Sequence, residues 1–97
     1  MNYIVFYLKR EHSRDAYMLD GCKANPDMYE KVACVQATDK EDLFRRMNVV
    51  DGSEQEYVGR GKLEIRSLSV GDVVVSEEGT YLCAGVGWEK VIGREFK

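Results

Sequence analysis

The sequence predicts an α+β protein: a small antiparallel β-sheet or partly closed barrel with one short helix packed on it. Three observations point there. Tyr3 to Leu8 and Tyr29 to Ala37 are runs rich in β-branched and aromatic residues. Thr38-Asp39-Lys40-Glu41 carries the signature of a helix start directly after the second run. From Asp72 onward the chain reads as strand, turn and strand. Antiparallel closure would also hide strand edges, which a chain with a small core needs.

Tyr3-Ile4-Val5-Phe6-Tyr7-Leu8 has no polar alternation, so it predicts a strand buried on both faces and therefore central in its sheet. Residues 9 to 28 change character, with Lys9, Arg10, Glu11, Arg14 and Asp15 followed by the turn signals Gly21 and Asn25-Pro26. A structureless loop of that length is uncommon in a compact domain. Either a short strand around Tyr17-Met18-Leu19 pairs with the first strand, or the segment is a long functional surface loop. Tyr29 to Ala37 is the second strand. Thr38 is placed to cap the amide three residues on, with Glu41 reaching back.

The helix that follows is short, about Asp39 to Met47. Asp39, Glu41 and Asp42 in its first turn and Arg45 and Arg46 in its last suit the helix dipole. Leu43, Phe44 and Met47 form an apolar stripe to lay on the sheet, and Asn48 is placed to end the helix. Asp51 to Glu56 reads as a polar turn or mobile loop, followed by a small basic patch of Arg60, Lys62 and Arg66 diluted by Glu64. Asp72 to Ser76 predicts a strand opened by Gly71. Glu77-Glu78-Gly79 predicts a hairpin turn with glycine at positive φ, and Thr80 to Val86 the returning strand. Gly85 and Gly87 around Val86 suggest a bulge or a close backbone approach before Trp88, and Glu89 to Ile92 reads as a continuation of the strand.

Ninety-seven residues, 44% hydrophobic and 10% aromatic, are read as a single domain, 1–97, of ordinary globular composition. The net charge is −3, which disfavours a nucleic-acid binder held by phosphate contacts. No apolar run approaches the roughly 20 residues that span a membrane, and no basic residues precede the first apolar run, so neither a membrane span nor a secretory signal is expected. The imbalance is local. Residues 1–48 hold eight acids and eight bases, whereas 49–97 hold nine acids and six bases. Opposed acidic and basic patches suit a protein partner better than a polyanion.

Chemistry-bearing groups are sparse. Cys22, Cys34 and Cys83 are widely spaced and His12 is alone, so no metal site and no cofactor are expected. Cys34 and Cys83 read as small strand residues in a reducing cytoplasm; Cys22, in a polar stretch, is the one to test for reactivity. In Arg66-Ser67-Leu68-Ser69-Val70-Gly71-Asp72 two hydroxyls, a glycine and an aspartate stand before a strand. They read as turn capping, with Asp72 closing the turn, or as a polar loop that holds a ligand or partner backbone. A serine nucleophile there would need His12 as base, and Asp72 would lie beside the serine rather than behind an imidazole. Gly59-Arg60-Gly61-Lys62 lacks the strand–loop–helix setting of a phosphate cradle. Trp88 reads as core beneath the hairpin or as an interface anchor, with Tyr17 and Tyr57 as lesser exposed candidates. No catalytic residue is assigned, and the candidate binding residues are Arg66, Ser67, Ser69, Gly71, Asp72, Gly87 and Trp88.

The order of these motifs resembles a family of small bacteriophage and mobile-element proteins, similar to the YodL-like proteins of bacteria and plasmids. The resemblance is carried by Ala37-Thr38-Asp39-Lys40-Glu41-Asp42-Leu43-Phe44-Arg45, by Arg66-Ser67-Leu68-Ser69-Val70-Gly71-Asp72-Val73-Val74 and by Val86-Gly87-Trp88, and spans about residues 29 to 92. It implies a phage or mobile-element origin and a setting in the host cytoplasm, and transfers no activity. The function expected is a small non-enzymatic accessory protein that binds a host or phage protein, with inhibition of a host defence system as one such role. The alternative is a small nucleic-acid-binding or regulatory β-barrel resting on Arg60, Lys62 and Arg66; a small hydrolase or a virion component are further readings. A strand edge with an apolar rim is compatible with a homodimer.

Overall fold

The structure is a computed structural model that describes residues 1–47, the backbone of 55–57, and residues 68–85 and 87–97. Six strands form one antiparallel sheet: β1 (Asn2–Leu8), β2 (Tyr29–Gln36), β3 (Gln55–Tyr57), β4 (Val73–Ser76), β5 (Gly79–Cys83) and β6 (Trp88–Lys90). Their order is β3-β2-β1-β4-β5-β6, with one helix, α1 (Lys40–Met47), between β2 and β3 in the chain. The fold is α+β as expected. Of the two architectures predicted, the open sheet is the one adopted; it does not close into a barrel.

β1 is central, paired with β2 on one side and β4 on the other, as its unbroken apolar run requires. Its alternate side chains feed two cores. Tyr3, Val5 and Tyr7 face α1 and pack with Val35, Val74, Leu43, Met47 and Leu68. Phe6 and Leu8 face the other way, toward Ala24, Tyr29, Leu82, Val91 and Phe96. There the Phe96 ring meets Phe6 and Tyr29 edge-on, with centroids 5.4 and 5.2 Å away. Pairing jumps from Val5↔Ala33 to Phe6↔Lys31, so Val32 is the extra residue of a β-bulge. The bulge lets two consecutive residues, Val32 and Ala33, enter the helix-side core.

The helix start lies one residue later than expected. Asp39, not Thr38, is the cap: its Oδ1 accepts from the Asp42 amide at 2.8 Å. Asp42, not Glu41, reaches back, accepting from the Thr38 amide at 3.0 Å. Asp42 also pairs with Arg45 and, at 2.9 Å, with Arg46. These donors hold its carboxyl well below the ordinary carboxylate range, the Thr38 amide first and the two guanidinium groups next. Leu43 and Met47 are buried as predicted, but Phe44 is exposed. An eight-residue helix on a sheet buries about two turns' worth of one face, and Phe44 falls beside that face.

No strand forms around Tyr17-Met18-Leu19. Arg10–Met18 is instead a run of 3₁₀ turns with no buried residue, and a second 3₁₀ turn, Pro26–Met28, is capped by Asn25. Both long edges of β1 are already occupied by β2 and β4, so a further strand there has no partner to join. Between the two 3₁₀ stretches the chain crosses the face opposite α1, with Ala24 buried in that core. Gly21 meets the edge of β6, its carbonyl accepting from the Ile92 amide at 2.8 Å. A Cβ there would lie 2.1 Å from the Lys90 carbonyl oxygen, so only glycine allows the approach.

Gln55 and Glu56, expected in a turn or loop, belong to β3 and pair with β2. β5 ends at Cys83 rather than Val86, and β6 ends at Lys90. Gly85 and Gly87 mark no close approach, since a Cβ at either would meet nothing within 4 Å, and the β5–β6 pairing runs without a register shift from Tyr81↔Lys90 to Cys83↔Trp88. They lie in the turn that joins β5 to β6, where Ala84 N–H donates to the Gly87 carbonyl at 3.0 Å and Gly87 takes φ +73°. Asn48, Asp51 to Glu54, the basic residues Arg60, Lys62 and Arg66, and Val86 lie outside the described residues. No helix among the described residues is long and apolar enough to cross a membrane.

Candidate functional site

Antiparallel pairing brings the end of β1, the start of β4 and the β5–β6 turn to the same end of the sheet. The loop 68–72 is the structural knot there. Asp72 is fully buried and its carboxylate closes the turn. Oδ1 accepts from the Leu8 amide at 2.9 Å, and Oδ2 from the Ser69 amide at 2.9 Å and the Ser69 hydroxyl at 3.3 Å. The Asp72 amide in turn donates to the Ser69 carbonyl at 3.1 Å. Gly71 takes φ +98°, donates to the Cys83 carbonyl at 2.8 Å and accepts from the Tyr29 hydroxyl at 2.6 Å. Of the two readings of this motif, its internal bonding is that of a capped turn which welds β1, β4 and β5 together.

Burial and the nearby Asp72 charge tune the neighbouring groups. Burial first, then that charge, pushes the Cys83 thiol up to about 11 and raises the Tyr29 phenol as well. Tyr29 therefore stays protonated and donates its hydrogen bond, while Cys83 is a poor nucleophile at neutral pH. Cys22 is exposed and Cys34 half-buried. Ser69 gives its hydroxyl to Asp72 with no imidazole between them, and His12 Nε2 lies 4.0 Å from the Glu11 carboxylate. Among the described residues no three His, Cys, Asp or Glu side chains gather as metal ligands.

The outer surface of this knot is concave. A groove of about 430 Å³ runs between the loop, which contributes Ser69, Val70 and Asp72, and the first 3₁₀ segment, which contributes Arg10, Ser13, Ala16 and Tyr17, with Leu8 between them. The two walls touch at Gly71 and Ala16: a Cβ on Gly71 would lie 3.0 Å from the Ala16 Cβ and 3.1 Å from Leu8 Cδ2. At the groove's edge Tyr17 is 82% exposed, and its neighbour Met18, just outside the groove, is 70% exposed.

Of the residues singled out from sequence, Ser69, Gly71 and Asp72 thus meet at one place. Trp88 does not join them. It pairs with Cys83, is half-buried and packs on the helix-side core, whereas the groove opens on the other face. Arg66 and Ser67 lie outside the described residues. Residues 9–28 were one candidate functional loop from sequence, but Arg10, Ser13 and Ala16 were not singled out in it, because only the long-range seating of the 3₁₀ segment on Gly71 brings them to the groove. The small residue at Ala16, between Asp15 and Tyr17, is the single local sign of that seating. No family model matches this chain, and neither a curated protein nor a solved structure matches it.

Proposed function

We propose that the chain is a non-enzymatic accessory protein of a phage or mobile element that acts by binding a host or phage protein, a component of a defence system being one such partner. The observation that carries this reading is the exposed Tyr17-Met18 pair beside a groove whose frame is rigidly bonded. Large apolar side chains left in water next to a preformed concavity are the usual anchors of a protein interface. The motif resemblance supplies the biological setting. The long connection bearing the pair is where a rigid sheet can display binding residues.

The test is affinity capture from a bacterial lysate with wild-type protein, Tyr17→Ala and Trp88→Ala, each first shown to be folded. A partner is expected that Tyr17→Ala loses and Trp88→Ala keeps, and that binds the purified wild-type protein directly. Recovery of chaperones alone, or of the same proteins by all three baits, would overturn the reading.

A further inference from the structure

We infer that the groove receives a short peptide segment of that partner in which an apolar side chain adjoins a carboxylate; the inference rests on the protein-binding reading above. Its chemistry follows from what lines it. Leu8, Ala16 and Val70 offer apolar surface, and Ser13 and Tyr17 add hydroxyl-bearing side chains. Two charged residues line it, Arg10 and Asp72. They are not equivalent. Asp72 is fully buried and spends both oxygens on Leu8 and Ser69, so it presents a closed turn rather than a free anion. Arg10 is exposed and makes no ion pair among the described residues. The groove is therefore an apolar slot with one available guanidinium, whose fork of donors matches a carboxylate.

The size and surroundings choose a peptide over other anions. A volume of about 430 Å³ lies in the range of small binding sites and holds a few residues, not a domain. The exposed Tyr17 and Met18 extend the apolar surface past the rim, where a lone anion would leave them uncovered and a longer chain would not. A polyanion is poorly served: Arg10 and Arg14 on this segment are matched by Glu11 and Asp15, so one carboxylate finds a partner but a row of phosphates does not.

The experiment is selection of a random heptapeptide library on the intact wild-type protein, on Arg10→Gln and on Tyr17→Ala. The best selected peptide is then titrated while the amide signals of the labelled protein are followed. The expected result is a consensus with Asp or Glu beside a large apolar residue, with shifts centred on Arg10, Ser13 and Ser69. Changing that acid to its amide, or Arg10 to Gln, should each weaken binding by at least about tenfold, as loss of one charge-assisted hydrogen-bonded pair implies. Made together they should cost little more than either alone. Absence of enrichment, an acid-free consensus, equal binding by Arg10→Gln, shifts elsewhere, or equal occupancy by inorganic phosphate alone would overturn the inference. Failure here with a Tyr17-dependent partner still captured from lysate removes the groove chemistry and leaves the protein-binding function; loss of both removes both.

Discussion

Replacing Asp72 separates a welding role from a ligand-contacting one. The carboxylate is fully buried and accepts from the Leu8 amide, the Ser69 amide and the Ser69 hydroxyl. In Asp72→Ala the Leu8 amide, inside the sheet, loses its acceptor; an orphaned buried donor costs about 1–3 kcal/mol. Ser69 is exposed, so water replaces much of what it loses, and its share is the smaller one. Together the loss is about 2–4 kcal/mol, a large part of the 5–15 kcal/mol typical of a domain. Asp72→Asn keeps the shape but turns an amide NH₂ toward one of the two backbone donors, so it should fall between Asp72→Ala and wild type. Ser69→Ala removes the 3.3 Å hydroxyl contact to Asp72 but leaves the Ser69 amide bond to it, so it should cost less than Asp72→Ala. Urea unfolding measures all three: with a slope of about 1–3 kcal/mol/M, Asp72→Ala moves the midpoint down by roughly 1–2 M. An Asp72→Asn protein as stable as wild type would refute the reasoning and make the carboxylate a group held ready for a ligand.

The remaining predictions address other parts of the frame. Gly21→Ala should destabilise by about 1–3 kcal/mol, because its Cβ would lie 2.1 Å from the Lys90 carbonyl oxygen; hydrogen exchange at the Ile92 amide should speed up first. Asp39→Ala, which removes the α1 cap, should cost about 1 kcal/mol in chemical unfolding, while Thr38→Ala should be near neutral. Tyr3 is fully buried and its hydroxyl has no hydrogen-bond partner among the described residues, so Tyr3→Phe should leave stability unchanged or raise it, read as an unchanged or higher melting temperature. The Cys83 thiol, pushed from 9.0 up to about 11 by burial, stays neutral in the folded protein while the unfolded chain ionises above pH 9. Its contribution is therefore full below pH 9 and lost as pH rises toward 11, by roughly 3 kcal/mol. Thiol labelling at pH 8 should modify Cys22 first and Cys83 only on unfolding.

Legibility in the sequence followed the range of the interactions involved. β1 was readable as a two-sided strand because six consecutive residues lack polar alternation, and the hairpin because Glu77-Glu78-Gly79 punctuates it locally. The helix was readable to within one residue. The cap moved from Thr38 to Asp39 because both residue types cap well, and the choice lies with Asp42, whose carboxylate is also fastened to two arginines. The capping role of Asp72 was also visible, since an aspartate after Gly71 and two serines is a turn-closing pattern. What the pattern could not show is that its second acceptor oxygen serves Leu8, sixty-four residues earlier. Nor could periodicity find 3₁₀ turns in 10–18, where no residue is buried and no hydrophobic repeat exists to read.

The segment whose conformation escaped prediction, though a functional surface loop was one of its two readings, is also the one that carries the proposed function, and the two facts share a cause. Residues 9–28 touch the sheet through small residues at its closest points, Ala16 against Gly71 and Leu8, Gly21 against β6 and Ala24 in the core, and through the half-buried Leu19 and Met28. Where they stand off the sheet they carry Arg10, Arg14, Tyr17 and Met18. These contacts anchor the segment without Tyr17 or Met18, so the stability of the fold depends little on the exposed side chains between them. Tyr17 and Met18 are consequently free of a packing role. A large aromatic and a methionine exposed at such positions, beside a frame fixed by Asp72, are better explained by a surface they meet than by the interior they do not enter.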